Sequence, residues 1–162
     1  MTELKDYYQQ AYPRLVAFLV AVHGDREAAE EAAQEASIKL MHHWQKVSYY
    51  ENPDAWLRRV AINTSTSQWR RNRNRRKAHT ASDRLRGQEW TCRSVDTDTR
   101  LVMHSLPLRQ REILVLHYWL DMPVSAIAAE LRIAEGTVKS RLARAHSALA
   151  SNLMGSDTYG QH

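Results

Sequence analysis

The stretch SAIAAELRIAEGTVKSRLARAHSAL, residues 125–149, decides how this chain folds. It reads as two short amphipathic helices meeting at a glycine-bearing turn, RIAEG. At about 100° per residue, Leu142, Ala145 and Leu149 fall within about 40° of Val138 and form one narrow apolar stripe. Ser140, Ala143 and Ser147 lie opposite that stripe. Lys139 and Arg144 flank these small residues, and Arg141 sits on the other shoulder, nearer the core. The preceding helix, residues 125–131, buries Ile127, Ala128 and Leu131, and the turn aims the second helix outward. Small residues at the centre of an exposed face let a helix approach base edges closely. Cations on its shoulders reach phosphates or guanine. The pattern predicts a helix-turn-helix whose second helix enters a DNA major groove. Taken alone, the stretch also fits a plain surface helix with a solvated basic face.

Working outward, the rest of the chain is helical too. Five glycines and four prolines are few for 162 residues, and apolar residues recur at three- and four-residue spacing. A first helix is expected over 3–22, with Pro13 the place for a bend. Gly24 ends it, Asp25 caps a second helix, and Glu27, Glu30 and Glu31 suit that helix's first turns. The second helix should run to about Trp44, and residues 47–53 form a loop. A third long helix starts near Pro53-Asp54 and runs into QWRRNRNRRK, residues 68–77. The expected fold class is all-α: two small helical domains, 1–78 and 98–154, joined by a polar linker at 79–97, with a disordered tail at 155–162. Trp90 is the linker's one large apolar anchor.

The formal net charge of +5 and the pI near 9.6 point toward a nucleic acid or another anionic surface. Cys92 is the only cysteine, so an intramolecular disulfide and a CxxC zinc site are both excluded. The eight histidines are scattered, and the adjacent pair His42-His43 points in two directions on a helix. No metal and no cofactor is expected. The start, MTELKDYYQQ, is polar and resembles no signal peptide. The apolar run at 15–22 is too short to span a bilayer. A cytoplasmic protein without a membrane partner is expected.

The first domain carries two exposed faces of different chemistry. On the second helix, Ala33, Ser37, Leu40 and Trp44 share a core-facing side, and Glu31, Gln34, Glu35 and Ile38 fall opposite. An isoleucine among exposed carboxylates suits protein docking; an ordinary acidic helix start is the bland alternative. On the third helix, Trp56, Leu57, Val60 and Thr64 share the buried side. Arg58, Arg59, Ile62, Thr66, Trp69 and Arg73 fall mostly on the other, with Asn63 at the edge. Arg70, Arg71, Arg73, Arg75, Arg76 and Lys77 follow with no acid among them. Cations interleaved with an aromatic suit a strand whose bases are unstacked, and a frayed, solvated helix end is the alternative.

Three stretches carry a family resemblance. GDREAAEEAAQEASIKL, with Glu31-Ala32-Ala33-Gln34-Glu35 at a D-x-x-Q-E core, and NPDAWLRRVAINTSTSQWRR, with Trp56, Leu57, Arg59, Val60, Ala61 and Asn63, resemble the second conserved region of bacterial RNA polymerase sigma factors. SLPLRQREILVLHYWLDMPVSAIAAELRIAEGTVKSRLARAHSAL resembles the fourth region. The two-domain layout resembles the extracytoplasmic-function (ECF) group. The resemblance implies that Glu31, Gln34, Glu35 and Ile38 bind the clamp helices of the polymerase β′ subunit. It implies that Tyr49, Tyr50, Arg58, Arg59, Asn63, Trp69, Arg70 and Arg73 receive the −10 promoter element as single strand, one base flipped near the 47–53 loop. It implies that Thr137, Lys139, Ser140, Arg141, Ala143 and Arg144 read the −35 element. Core RNA polymerase, including its β subunit, and promoter DNA are the implied partners, and an anti-sigma factor is a frequent one. The sequence departs from the family pattern at Glu31, where Asp is common, at Arg58, where an aromatic is common, and at Met122-Pro123-Val124-Ser125, where a Ser/Thr cap and acids are usual.

Two other functions compete. A conventional dimeric helix-turn-helix regulator needs a dimer interface and a palindromic site, and leaves the acidic face and the arginine–aromatic face without a task. An enzyme acting on nucleic acid needs a metal cluster, P-loop, nucleophile elbow or triad, and the sequence carries none; no catalytic residue is expected.

Overall fold

The computed structural model describes residues 3–76 and 103–157, without the side chains of 66–76 and 152–157. The expected linker, with Trp90 and Cys92, and residues 158–162 of the expected tail lie outside the described residues. The chain divides into two compact units, Met1–Trp90 and Thr91–His162, and all regular structure among the described residues is helical. Among them, no helix is long and apolar enough to cross a membrane, and no group of metal-ligating side chains could hold an ion.

The first unit packs three helices: α1 (Leu4–His23), α2 (Arg26–Val47) and α3 (Pro53–Arg76). α1 runs through Pro13 without a break. Gly24 closes α1 with φ 70° and donates its N–H to Val20 O at 2.7 Å. Only glycine takes that left-handed conformation without a Cβ penalty. Asp25 Oδ1 then accepts from the Glu27 N–H at 3.0 Å, so α2 starts on a side-chain cap. α1 packs on α2; Leu15, Phe18, Leu19 and Val22 of α1 are buried, and a row of alanines on α2, Ala29, Ala32, Ala33 and Ala36, has no exposed surface. Small side chains there bring the two backbones close and leave the volume to the large residues of α1.

α2 continues one turn past Trp44, because the buried Val47 gives that turn a core contact. Asn52 Oδ1 accepts from the Ala55 N–H at 3.1 Å, and Pro53 takes the first helical position, where its missing N–H costs nothing. The buried arc of α3 differs from the expected one. Leu57 and Thr64 are buried, but so are Ala61, Ile62 and Ser65, while Trp56 and Val60 are half-buried. Ile62 therefore belongs to the core and not to the exposed face. Both α1 and α2 pack against α3, so its covered arc is wider than a single-partner stripe. Two hydroxyls hide within that arc by donating to the carbonyl one turn back, Thr64 Oγ1 to Val60 O at 2.9 Å and Ser65 Oγ to Ala61 O at 2.7 Å. The donor is thereby satisfied without water.

The second unit contains α4 (Leu108–Leu114), a π-helical turn at Val115–Trp119, α5 (Val124–Leu131) and α6 (Glu135–Asp157). Its core is Leu106, Leu108, Ile113, Leu114, Val115, Leu116, Ile127, Ala128, Val138, Leu142 and Ala145. α6 reaches Asp157, so the first residues of the expected tail are helical. The turn between α5 and α6 is not made by glycine. Arg132 takes the left-handed conformation, φ 56°, and its N–H and that of Ile133 both donate to Ala128 O. Gly136 lies inside the first turn of α6, and a Cβ there would meet nothing within 4 Å.

Candidate nucleic-acid and polymerase interfaces

On α2, Glu31, Gln34, Glu35 and Ile38 are all exposed, while Ala33, Ser37 and Leu40 are buried behind them. The Ser37 hydroxyl donates to Ala33 O at 2.6 Å, so no buried donor interrupts the rear of the helix. Ile38 leaves 51% of its surface exposed, and Met41, one turn on, leaves 57%. Met41 extends the same apolar ridge, at i+3 from Ile38, a residue absent from the sequence-expected arc although the spacing encodes it. Carboxylates beside a short apolar ridge offer a partner both a charged and a dry contact.

The second face begins at the loop between α2 and α3. Tyr49 is 79% exposed and Tyr50 37%. The loop's backbone is tied to α2: Ser48 N–H donates to Trp44 O, Tyr49 N–H to Lys46 O and Tyr50 N–H to Val47 O, at 2.8, 3.2 and 3.0 Å. On α3, Asn63 is exposed and Arg59 half-buried. Arg58 turns toward α1, its guanidinium 6.0 Å from the centre of the Phe18 ring. The backbone of Trp69, Arg70 and Arg73 lies on α3, and their side chains are outside the described residues.

The third face is on α6. Lys139, Ser140, Ala143, Arg144 and Ser147 are exposed, Thr137 and Arg141 are half-buried, and Val138, Leu142 and Ala145 are buried on the far side. The exposed arc is the one expected from the sequence, but Leu149, expected in the buried stripe, and Leu131, expected to be buried by α5, are only half-buried. The Ser140 hydroxyl donates to Gly136 O at 2.9 Å, which leaves its oxygen to accept from a donor on a base edge. Behind α6, Glu112 of α4 is buried and takes a 3.3 Å ion pair from Arg109. Burial raises the Glu112 carboxyl above its ordinary range, against the pull of Arg109 and Arg141.

Residues 7–75 match the family model of sigma-70 region 2, and residues 98–149 that of sigma-70 region 4. The RNA polymerase sigma-E factor of Streptomyces avermitilis is 30% identical, over 96% of this chain and 87% of its own length. The chain belongs to the ECF sigma factors. The ECF sigma factor EcfG of Rhodopseudomonas palustris is 28% identical, over 97% of this chain and 90% of that one. A co-crystal structure of the sigma factor RpoE with the anti-sigma factor NepR from Bartonella quintana superposes with a TM-score of 0.71. It is 25% identical and covers 93% of this chain and 96% of that chain. An ECF sigma factor binds core RNA polymerase and directs it to promoters through −10 and −35 elements. The region 2 match falls on α1 to α3, and the region 4 match takes in α4, the π-helical turn, α5 and most of α6. Sigma factors are known as non-enzymatic initiation factors.

Proposed function

We propose that the three faces divide the work of this sigma factor. Glu31, Gln34, Glu35 and Ile38, extended by Met41, dock on the β′ clamp helices. Tyr49, Tyr50, Arg59 and Asn63, continued along α3 by Trp69, Arg70 and Arg73, hold the single-stranded −10 element. Arg58 supports this surface from behind through Phe18. Thr137, Lys139, Ser140, Ala143 and Arg144 meet the −35 duplex, with Arg141 at the rim. The observation that carries the reading is the exposed pair Ile38 and Met41, one turn apart beside Glu31, Gln34 and Glu35: adjoining apolar side chains rimmed by polar ones mark a surface that a partner covers. Two domains, 1–78 and 98–154, joined by a linker, place the two DNA faces on separate units. The chain acts in the cytoplasm without catalytic residues or a cofactor of its own. An anti-sigma factor is a further partner, supported by the relative solved in complex with one.

The test is transcription in vitro with sigma-free core polymerase from the same bacterium on fragmented genomic DNA. Discrete transcripts that need this chain, with two shared upstream elements, are expected. Their absence, together with tight specific binding to palindromic duplex DNA, would favour the dimeric regulator.

A further inference from the structure

The loop at 48–52 is short and carries Tyr49 and Tyr50; the amides of Ser48, Tyr49 and Tyr50 bond back to α2, and Asn52 Oδ1 accepts from the Ala55 N–H at the start of α3, so its hydrogen bonds reach only its immediate flanks. Its position in space depends on how its two flanks, the last turns of α2 and the first turn of α3, are held together. One residue of α1 touches both flanks. The Tyr7 hydroxyl donates to Asp54 Oδ1 at 2.6 Å, in the first turn of α3. The Tyr7 ring stacks on Trp44 of α2, centroids 5.1 Å apart and planes at 29°. Trp44 is also the residue whose carbonyl accepts the Ser48 N–H at the start of the loop. Arg14 adds an ion pair to Asp54 Oδ2 at 3.0 Å, but it is mostly exposed, and such pairs contribute little. The hydrogen bond from Tyr7 is part-buried and ends on a charged acceptor, which makes it the stronger tie. Burial and this bond together push the Tyr7 hydroxyl well above its ordinary range, so it stays a donor at any physiological pH.

We propose that Tyr7, Trp44 and Asp54 form a staple that fixes both flanks of the 48–52 loop, so that the single-stranded −10 element meets a preformed surface. Tyr7 is a positioning residue in this scheme: it stands behind the loop and acts through Trp44 and Asp54. The proposal rests on the −10 assignment above. Pre-forming the loop spares the strand the cost of ordering it at the moment of binding, so the staple's contribution falls on the single-stranded step. Docking on core polymerase uses exposed residues on another arc of α2, and −35 binding uses the other unit.

The experiment uses holoenzyme assembled from core polymerase and the full chain. The probe is the non-template-strand oligonucleotide of a promoter mapped in the transcription assay, and a duplex of its upstream element serves as comparison. Tyr7→Phe keeps the ring stack and removes the donor. It should lower affinity for the single strand about five- to tenfold, since one hydrogen bond is at stake. Duplex and core affinities should stay within about twofold. Asp54→Asn keeps an acceptor for the Tyr7 hydroxyl and should lose less than Tyr7→Phe; it carries the test if Tyr7→Phe does not fold. Parental strand affinity in Tyr7→Phe, with a clear loss in Tyr50→Ala and Arg59→Ala, overturns the staple alone. An equal loss on strand, duplex and core overturns it as well, because that is the mark of a general fold defect. Parental affinity in all four variants removes the −10 assignment and the staple with it.

Discussion

Ile38→Ala removes three carbons from the ridge on α2. At about 0.8 kcal/mol per buried carbon, their full transfer from water is worth about 2.4 kcal/mol. Ile38 leaves 51% of its surface exposed in the free chain, so only about half, roughly 1.2 kcal/mol, is left for a partner to gain. That is about a sevenfold loss of affinity for core polymerase. The same change removes some packing within the first unit but replaces a β-branched residue with the best helix former. Thermal stability should therefore shift by less than about 1 kcal/mol. Competition between labelled parent and unlabelled variant for core polymerase measures the first quantity, and thermal unfolding the second. Met41→Ala should behave alike, and the double variant should fall short of the product because the side chains are one turn apart. Core affinity within twofold of parent for both single variants would refute the docking arc, whatever the acidic residues do.

Lys139→Ala and Arg144→Ala should each weaken binding to the −35 duplex and lower the slope of log affinity against log salt by about one if phosphate is the target; anisotropy titrations across potassium chloride concentrations check this, and two unaltered slopes and affinities would clear α6 of the task. Glu112→Gln should stabilise the second unit relative to parent increasingly as pH rises. The sign follows from the raised carboxyl: the folded chain holds its proton more tightly than the unfolded one, so parental stability is full below the ordinary glutamate value of 4.5 and declines as pH climbs through the raised one. Arg109, Arg141 and Glu130 face this group, and thermal unfolding of variant and parent from about pH 4 to about pH 8 isolates its share. Gly136→Ala should raise the melting temperature, by the equivalent of about 0.5–1 kcal/mol, because a helical glycine with open space around it costs only chain entropy.

The sequence by itself determined the helices, the glycine–aspartate junction between α1 and α2, the exposed arc at Glu31, Gln34, Glu35 and Ile38, and the split of α6 into a buried stripe and a face of lysine, serine, alanine and arginine. Each of these follows from a helical period of 3.6 and from capping chemistry, which act over one or two turns of chain. Tertiary structure decided the rest. Ile62 joined the core because two helices, not one, cover α3, and a wheel drawn on α3 alone has no knowledge of the second. The left-handed residue of the helix-turn-helix is Arg132 and not Gly136, because the carbonyl of Ala128 collects both amides that follow α5. Arg58, expected on the exposed arc of α3, turned to an aromatic ring on α1. The tie between Tyr7 and Asp54 joins residues 47 positions apart, and no local pattern encodes such a pair. It exists only because the packing of α1 against α2 and α3 brings a phenol and a carboxylate to the same half-dry spot, where a hydrogen bond is worth more than in water.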